Sequence, residues 1–402
     1  MINLEVPQKF SALVEQAHQV ATEIFRPISR KYDSAEHAYP KELDMLAALI
    51  DGMNDGSDIG GAGAAGVRRS DNGAAGVRNG SNMSTLLGVI ELCWGDVGLL
   101  LSMPRQGLGN SAIASVADDE QLERFRGRWA AMAITEPDAG SDSAAIRTTA
   151  VREGDEYVLN GGKIYVTSGE RADLIVVWAT LDRRQGRAAI KSFVVERSNP
   201  GLKLGRLEHK LGIRASDTAA FRLEDCRVPA ENLLGNPEID TRQGFGGVMQ
   251  TFDNTRPLVA GMAVGVARAC LEETRRRLEE VGVVLDWDAA PARQSAAAAE
   301  YLAMEADYEA ARLLTLQAAW LADNAKPNSL QASMAKAKAG RSCVDIALRC
   351  VRLCGSVGYS EDNLLEKWAR DAKILDLFEG TQQIQLLIVA RQLLGKTSAE
   401  LK

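Results

Sequence analysis

The sequence Glu156-Tyr157-Val158-Leu159-Asn160-Gly161-Gly162-Lys163-Ile164-Tyr165-Val166-Thr167 lies between two helical parts of the chain. It contains two runs of β-branched and aromatic residues, which favour strands, around an Asn-Gly pair that is typical of a tight turn. The runs 174–178 and 192–195 continue the same strand pattern. We therefore expect a β domain in the middle of the chain.

Apolar residues recur at helical spacing on both sides of this block. Leu43 and Leu46 show the spacing before it, and Leu313 and Leu316 show it after. Several such segments follow residue 244, so the sequence predicts an antiparallel helical bundle there.

The stretch 51–82 differs from its surroundings because it is rich in Gly, Asp, Asn and Ser. The segment Gly63-Ala64-Ala65-Gly66-Val67-Arg68 is repeated ten residues later, which is too short a duplication for a repeat fold. Such a glycine content disfavours helix, so we expect a long loop.

Charge and composition exclude several classes of protein. The 402 residues include 47 Lys and Arg against 54 Asp and Glu, and the net charge of −7 argues against a protein that coats nucleic acid or an anionic membrane. The six cysteines form no CxxC pair and the three histidines lie far apart in sequence, so we expect reduced thiols and no metal site. No signal-peptide pattern and no apolar window of about 18 residues is evident, so we expect no membrane span and a cytoplasmic protein.

Four short segments carry candidate functional residues. Glu379, in Phe378-Glu379-Gly380-Thr381, is a carboxylate just before a helix, and taken alone it is explained as a solvated side chain, with Thr381 as a possible cap. Arg256 can pair with Asp253 one turn earlier or reach a phosphate, and the ion pair is the simpler reading. The remaining segments are a Gly- and Ser-containing turn at 132–142, whose backbone can approach a ligand, and a strand end at 165–167, whose aromatic residue can cover a flat ring.

In their order and spacing these motifs resemble the acyl-CoA dehydrogenase family. The resemblance covers roughly residues 125–275 and 335–395. The segments that carry it are 133–142, 160–167, 210–218, 252–256 and 370–391.

The resemblance implies an α+β, mostly helical fold in three domains. These are an N-terminal helical domain (1–125), a middle β-barrel or β-sandwich domain (126–235) and a C-terminal four-helix bundle (236–402). It also implies an FAD cofactor, an acyl-CoA substrate, an electron-transfer flavoprotein as electron acceptor, and a homodimer or homotetramer, with a mixed assembly of two different chains left open.

Residue roles follow from the same resemblance. Glu379 would be the catalytic base, and its backbone N–H would help to bind the thioester oxygen. The substrate would contact Ser141, Asp253, Arg256 and Gly380. The FAD would contact Met132, Ile134, Thr135, Gly140, Ser141, Tyr165, Val166, Thr167, Thr381 and Gln383, and the FAD of a neighbouring subunit would contact Arg352, Gly355 and Ser356.

The implied reaction is α,β-dehydrogenation of an acyl-CoA thioester to trans-2-enoyl-CoA, as in fatty acid β-oxidation. Two alternatives remain open, a flavin monooxygenase or oxidase on the same scaffold and a non-catalytic flavin-binding homologue. Relatives carry an Arg-x-x-Phe-Gly stretch whose arginine contacts the FAD pyrophosphate, whereas residues 281–288 here contain no arginine. We hypothesise that Arg352, where relatives have Gln, restores that positive charge.

Overall fold

The computed structural model describes residues 8–53, 80–105, 107–239, 246–324, 326–397 and 400. The side chains at 49–53, 81 and 246–254 are also outside the described part. Within it the chain forms a helical N-terminal part, one β-sheet and a C-terminal group of long helices. This mostly helical α+β architecture is the predicted one, while the boundaries at 125 and 235 stay a prediction.

The N-terminal part consists of six described α-helices, of which the first two are joined by a π-helical turn at Ala21–Phe25. Phe25 and Tyr32 are buried and pack towards Leu43 and Leu99, so the early helices share a small core. The helices are α1 (Ser11–Val20), α2 (Arg26–Ser34), α3 (Glu42–Met53), α4 (Ser81–Leu100), α5 (Leu108–Val116) and α6 (Asp119–Arg124).

The predicted loop at 51–82 is helical at both ends. Residues 51–53 form the last turn of α3, and α4 begins at Ser81. Residues 54–79, which include both copies of the repeated segment, lie outside the described residues.

Helix α4 corrects the expectation that no long apolar window exists. Its residues Asn82–Leu100 are long and apolar enough to cross a membrane by length and composition alone. Most of this window is buried inside the protein, where Leu86, Ile90 and Val97 pack in the core that α4 shares with the C-terminal helices. The apolar composition of α4 is therefore explained by its place in the core.

The middle of the chain forms one curled seven-stranded sheet in the order β1-β4-β2-β3-β7-β6, with β5 paired to β4. One face buries Trp129, Tyr157, Phe193 and Phe221, and α5 covers part of the other face. The strands are β1 (Ala130–Ala133), β2 (Thr149–Glu153), β3 (Glu156–Thr167), β4 (Leu174–Thr180), β5 (Ile190–Glu196), β6 (Leu202–Leu207) and β7 (Thr218–Pro229).

The turn predicted at Asn160-Gly161 is wrong, because β3 runs through both residues without reversing. Pairing with β7 shifts register between Leu159 and Gly161, so the pair marks an irregularity in a long strand. A Cβ atom at Gly161 would lie 2.4 Å from Thr148 Oγ1 and 2.8 Å from Thr148 Cα. Glycine is therefore required here by a close approach of two segments and not by a hairpin.

Five described helices complete the fold. Helices α7, α8 and α9 share a core with α4 and α10 that contains Met262, Met304, Cys343 and Trp368, and α11 packs on α9. The helices are α7 (Gly246–Glu280), α8 (Ala296–Asp323), α9 (Ser329–Tyr359), α10 (Leu365–Leu375) and α11 (Gln382–Leu394).

A buried lysine joins the three parts of the chain. Lys367 Nζ on α10 lies 2.7 Å from Asp96 Oδ2 on α4 and 2.5 Å from Asp371 Oδ2. Asp96 also accepts a hydrogen bond from Ser29 on α2, and Asp371 Oδ1 accepts one of 2.5 Å from the backbone N–H of Ile213. Burial alone would lower the pKa of Lys367, but the charges of the two aspartates outweigh it, so the pKa is raised and the lysine stays charged.

Replacing Lys367 by Met should lower the free energy of unfolding by about 3–5 kcal/mol, because two buried carboxylates lose their counter-ion. The measurement is the midpoint of urea unfolding followed by circular dichroism. Lys373→Met is the control, since Lys373 pairs with Asp376 at the surface. Equal midpoints for the two variants would show that the buried ion pairs do not hold the three parts together.

Candidate active site

Glu379 lies on a tight turn between α10 and α11. Its φ angle is +55° and that of Gly380 is +91°, so two successive residues have left-handed backbone conformations. Thr381 caps α11 by accepting a hydrogen bond of 3.4 Å from the backbone N–H of Ile384, which confirms its predicted capping role. The cap fixes where α11 begins and hence where the turn must end.

The Glu379 side chain is half-buried rather than freely solvated. Its Oε2 accepts a hydrogen bond of 2.9 Å from the Thr255 hydroxyl on α7. Burial raises the pKa of the Glu379 carboxyl, while the Thr255 hydrogen bond and the charges of Arg256 and Lys336 oppose that rise without cancelling it. The reading of Glu379 as a solvated surface carboxylate is therefore wrong.

Two fully buried side chains hold the backbone of this turn. Lys336 Nζ on α9 donates a hydrogen bond of 2.7 Å to the Gly380 carbonyl. Gln385 Nε2 donates to the Glu379 carbonyl at 3.1 Å and to the Gly380 carbonyl at 3.2 Å. With both carbonyls occupied, the peptide planes on either side of Gly380 are held, and the chain that follows Glu379 is fixed.

Positive charge surrounds the carboxylate. Arg256 is buried on α7, one residue after Thr255, and burial lowers the pKa of Lys336 to about 8. Asp253, the possible ion-pair partner of Arg256, lies among residues whose side chains are outside the described part. The site therefore combines a carboxyl group of raised pKa with two buried cations, an arrangement that suits proton transfer beside an anionic or polarised ligand.

The segments predicted to line a flavin lie side by side. The backbone N–H of Ile164 donates a hydrogen bond of 2.9 Å to the Thr135 carbonyl, which links the turn after β1 to the end of β3. Met132 on β1 and Ile134 in this turn are half-buried, and Thr167 is half-buried at the end of β3. The structure thus brings together predicted residues that are about thirty positions apart in sequence.

A buried ion pair, which the sequence analysis missed, shapes the same turn. Lys163 Nζ lies 2.7 Å from Glu136 Oε1 and donates a second hydrogen bond of 3.1 Å to the Ile134 carbonyl. Glu136 also accepts from the backbone N–H groups of Arg147 and Thr148 and from the Thr148 hydroxyl. The carboxylate therefore has several donors, and burial lowers the pKa of Lys163 to about 8.

The shape of this region fits a flat aromatic cofactor. A Cβ at Gly140 would meet only Thr135 Cγ2, at 4.0 Å, so there is open space beside Thr135. Tyr165 has a φ of +57° and remains 60% exposed at the end of β3, so it presents a large ring with little protein against it. An open cradle beside an uncovered aromatic ring is what a stacked flavin requires.

The residues predicted to contact the cofactor differ in how exposed their side chains are. The side chain of Val166 is fully buried in the sheet core, so its predicted contact with the cofactor would have to be made by the backbone. Ser141 and Gln383 are exposed and free to approach a ligand from solvent.

The predicted contacts on α9 lie away from Glu379. Arg352 is 16 residues beyond Lys336 on the same helix, a separation of about 24 Å at the usual rise per residue. The helix is interrupted at Gly355, whose φ is +58°, and Ser356 is exposed next to it. Within one subunit this group lies far along α9 from the turn that carries Glu379, and its contact with a neighbouring subunit's cofactor stays a prediction.

Comparison with known proteins identifies two family matches in this chain. Residues 131–226 match the family described as acyl-CoA dehydrogenase, middle domain, and residues 242–394 match acyl-CoA dehydrogenase, C-terminal domain. The short-chain specific acyl-CoA dehydrogenase of Clostridium acetobutylicum is 35% identical over 322 residues, which cover 77% of this chain and 82% of that protein.

Solved structures of other proteins superpose on almost the whole of this chain. The butyryl-CoA dehydrogenase of Megasphaera elsdenii superposes with a TM-score of 0.79 at 27% identity, covering 98% of this chain and 100% of that one. A structure reported for the electron transferring flavoprotein of Acidaminococcus fermentans has a TM-score of 0.80 at 30% identity, with the same coverage. These similarities extend through all three parts of the fold described above.

Proposed function

The chain belongs to the acyl-CoA dehydrogenase family, and we propose that Glu379 is the base of its reaction. The protein is an acyl-CoA dehydrogenase that converts an acyl-CoA thioester to the trans-2-enoyl-CoA, and family membership implies FAD as its cofactor. The observation that carries the role of Glu379 is its half-buried carboxylate, hydrogen-bonded to Thr255 and set on a turn that Lys336 and Gln385 hold.

The first chemical task is to remove a proton from C2 of the thioester. This proton is only weakly acidic, so the base must be positioned and must have a pKa near the working pH, which is worth roughly 10²–10⁴-fold in rate. The Thr255 hydroxyl donates a hydrogen bond to Oε2 of Glu379, so we assign Oε1 as the atom that takes the proton. Burial raises the pKa of this carboxyl, which makes it a stronger base than a solvated glutamate.

The second task is to stabilise negative charge that develops on the thioester oxygen. The backbone N–H of Glu379 is our candidate donor, and it lies on the turn whose next two carbonyls are held by Gln385 and Lys336. One such donor is worth about 2.7–4 kcal/mol of transition-state stabilisation. FAD, when bound, supplies the acceptor for the hydride from C3.

The cofactor is proposed to lie in the cradle between the turn after β1 and the end of β3. Thr135, Gly140 and Ser141 would contact one part of the ring system, and Tyr165 and Thr167 would cover another. Gln383 and Thr381 would bind at the start of α11, and Arg256 on α7 would bind the CoA arm with Asp253. The buried pair of Lys163 and Glu136 supports this cradle from behind.

The substrate is proposed to be a short acyl-CoA. The Clostridium acetobutylicum relative is described as short-chain specific, and the Megasphaera elsdenii structure is of a butyryl-CoA dehydrogenase. An electron-transfer flavoprotein is the proposed electron acceptor, as the family resemblance implies, and a structure reported for such a flavoprotein is among those that superpose on this chain.

A homodimer or homotetramer is proposed from the surface of the C-terminal helices. Large apolar side chains are exposed on α11 and on the second half of α9, which is unusual for a surface that stays in water. They are Leu348, Val357, Tyr359, Leu386, Leu387, Leu393 and Leu394. Arg352 lies on the same half of α9 and is 69% exposed, where it can reach a neighbouring subunit.

Glu379→Gln should keep FAD but bleach the flavin absorbance at least about 10²-fold more slowly when mixed anaerobically with butyryl-CoA. Stopped-flow absorbance measures the rate. Glu361→Gln is the control because Glu361 is an exposed glutamate after α9. An unchanged rate in Glu379→Gln would assign the base to another group.

The same mixing experiment separates the rival activities. Bleaching that persists until an electron-transfer flavoprotein is added supports the dehydrogenase. Rapid return of colour in air would identify an oxidase, and no bleaching with any acyl-CoA would identify a protein that binds flavin without this activity.

Thr255→Val should move the acidic limb of the kcat/KM profile to higher pH. The rate requires ionised Glu379, so it falls as the pH drops through the pKa of that group, and the Thr255 hydrogen bond lowers that pKa. Thr274→Val is the control, since Thr274 is buried on the same helix about 28 Å further along. If the acidic limbs of wild type and Thr255→Val coincide, the ionisation of Glu379 does not determine the pH dependence of kcat/KM.

Arg352→Gln should purify with less FAD, because the guanidinium is proposed to bind the pyrophosphate of the neighbouring subunit's cofactor. The ratio of flavin absorbance to protein measures occupancy. Arg349→Gln is the matched control, because Arg349 and Arg352 both pair with Glu300. Undiminished FAD in Arg352→Gln, or equal loss in both variants, would contradict a specific role for Arg352.

A further inference from the structure

Two histidines that are far apart in sequence meet beside a glutamate on the protein surface. Glu36 and His37 follow α2, and His209 follows β6. One ligand atom from each of the three side chains lies within 4.8 Å of the others. The two imidazole rings are 5.3 Å apart between centroids. The sequence predicts no metal site partly because its histidines lie far apart along the chain. The fold nevertheless brings two of them together.

The His37 ring is the least satisfied member of this cluster. Both of its ring nitrogens are buried and neither has a hydrogen-bond partner. Its backbone is held in place, since its N–H donates to the Arg214 carbonyl at 3.4 Å and its carbonyl accepts from Arg171 Nη2 at 3.2 Å. An unpaired buried polar atom costs about 1–3 kcal/mol of stability. The two unpaired nitrogens of His37 are therefore explained most simply if the ring binds a ligand.

The backbone of His37 is also in an unusual conformation. Its φ is +68°, in the left-handed region that residues with a side chain rarely adopt. Such strain persists only where the surroundings fix it, and it concentrates at ligand sites. Here the left-handed turn places His37 next to Glu36 with both side chains facing the loop that carries His209.

Glu36 and His209 are already oriented towards each other. His209 Nδ1 lies 2.8 Å from Glu36 Oε2, and Glu36 Oε1 accepts a hydrogen bond of 2.9 Å from the backbone N–H of Lys210. That second bond fixes the carboxylate in the way that outer-shell partners fix metal ligands. The His209 side chain is 84% exposed, so it can rotate by the small amount that would bring the three ligand atoms closer.

We propose that Glu36, His37 and His209 bind a divalent transition-metal ion, with Zn²⁺ the best fit. Two imidazoles and one carboxylate form a known zinc ligand set, with metal–ligand distances of about 2.0–2.2 Å and a fourth position open to water. An ion would give both a partner to His37 and a counter-charge to Glu36. It would also link the end of α2 to the loop between β6 and β7.

The charges around the cluster set limits on its affinity. Two cations lie close to the cluster, and the Lys210 ammonium is turned away to donate to the Ser216 carbonyl at 2.7 Å. The other is Arg171, which binds the His37 carbonyl and pairs with Asp217 at 3.3 Å, so its charge is largely compensated. The ion would therefore meet one carboxylate and two imidazoles, with two cations nearby that have other partners, which favours a moderate affinity.

The test is calorimetric titration of ZnCl₂ into the FAD-loaded protein after removal of metal with a chelator. We expect about one equivalent to bind, and His209→Ala to weaken binding at least about tenfold. His18→Ala is the matched control, because His18 pairs with Glu91 elsewhere and should leave Zn²⁺ binding unchanged. His37→Ala should weaken binding as His209→Ala does.

Two outcomes would overturn the proposal. In one, the wild-type protein binds no Zn²⁺ in the titration, and the contact of His209 with Glu36 is then an ion pair only. In the other, His209→Ala binds as tightly as wild type, and the ion then lies elsewhere. Since His209 is exposed, its replacement leaves the fold intact, and an equal melting temperature in the presence of chelator verifies this.

Discussion

The burial of Lys367 between Asp96 and Asp371 is the constraint on which the rest of the structure depends. Removing three charges from water is costly, and it is tolerated only because each charge has a close partner and further hydrogen bonds. Those hydrogen bonds come from Ser29 and Ile213, so the network contacts the early helices, the sheet and the bundle at once. The network therefore links the three parts of the chain around α10.

This arrangement determines the position of Glu379. Helix α10 ends at Leu375, and Glu379 follows after a single turn of chain. Lys336 and Gln385 then bind the backbone carbonyls from α9 and α11, and Thr255 binds the carboxylate from α7. Four helices thus fix one side chain, and the same burial that fixes it raises its pKa. Position and basicity have a common cause, which is the packing of the bundle around the turn.

The sequence predicts those features that depend on local pattern. Helical spacing, the β-rich block and the cap at Thr381 follow from residues a few positions apart, and the order of motifs points to Glu379 and Thr135. Contacts between distant segments could not be predicted in this way. Asn160-Gly161 has the pattern of a hairpin turn, but a close approach of Thr148 decides its structure. Lys163 and Lys336 look like surface lysines until the fold buries them beside Glu136 and Gly380.

The central claim is that the Glu379 carboxylate faces the reacting carbon of an acyl-CoA, and a crystal structure with FAD and an unreactive acyl-CoA analogue tests it most directly. The account predicts a Glu379 oxygen about 3–3.5 Å from C2 of the analogue, with the flavin on the opposite face. A carboxylate turned to solvent, or another acidic or basic group at that distance from C2, would contradict it.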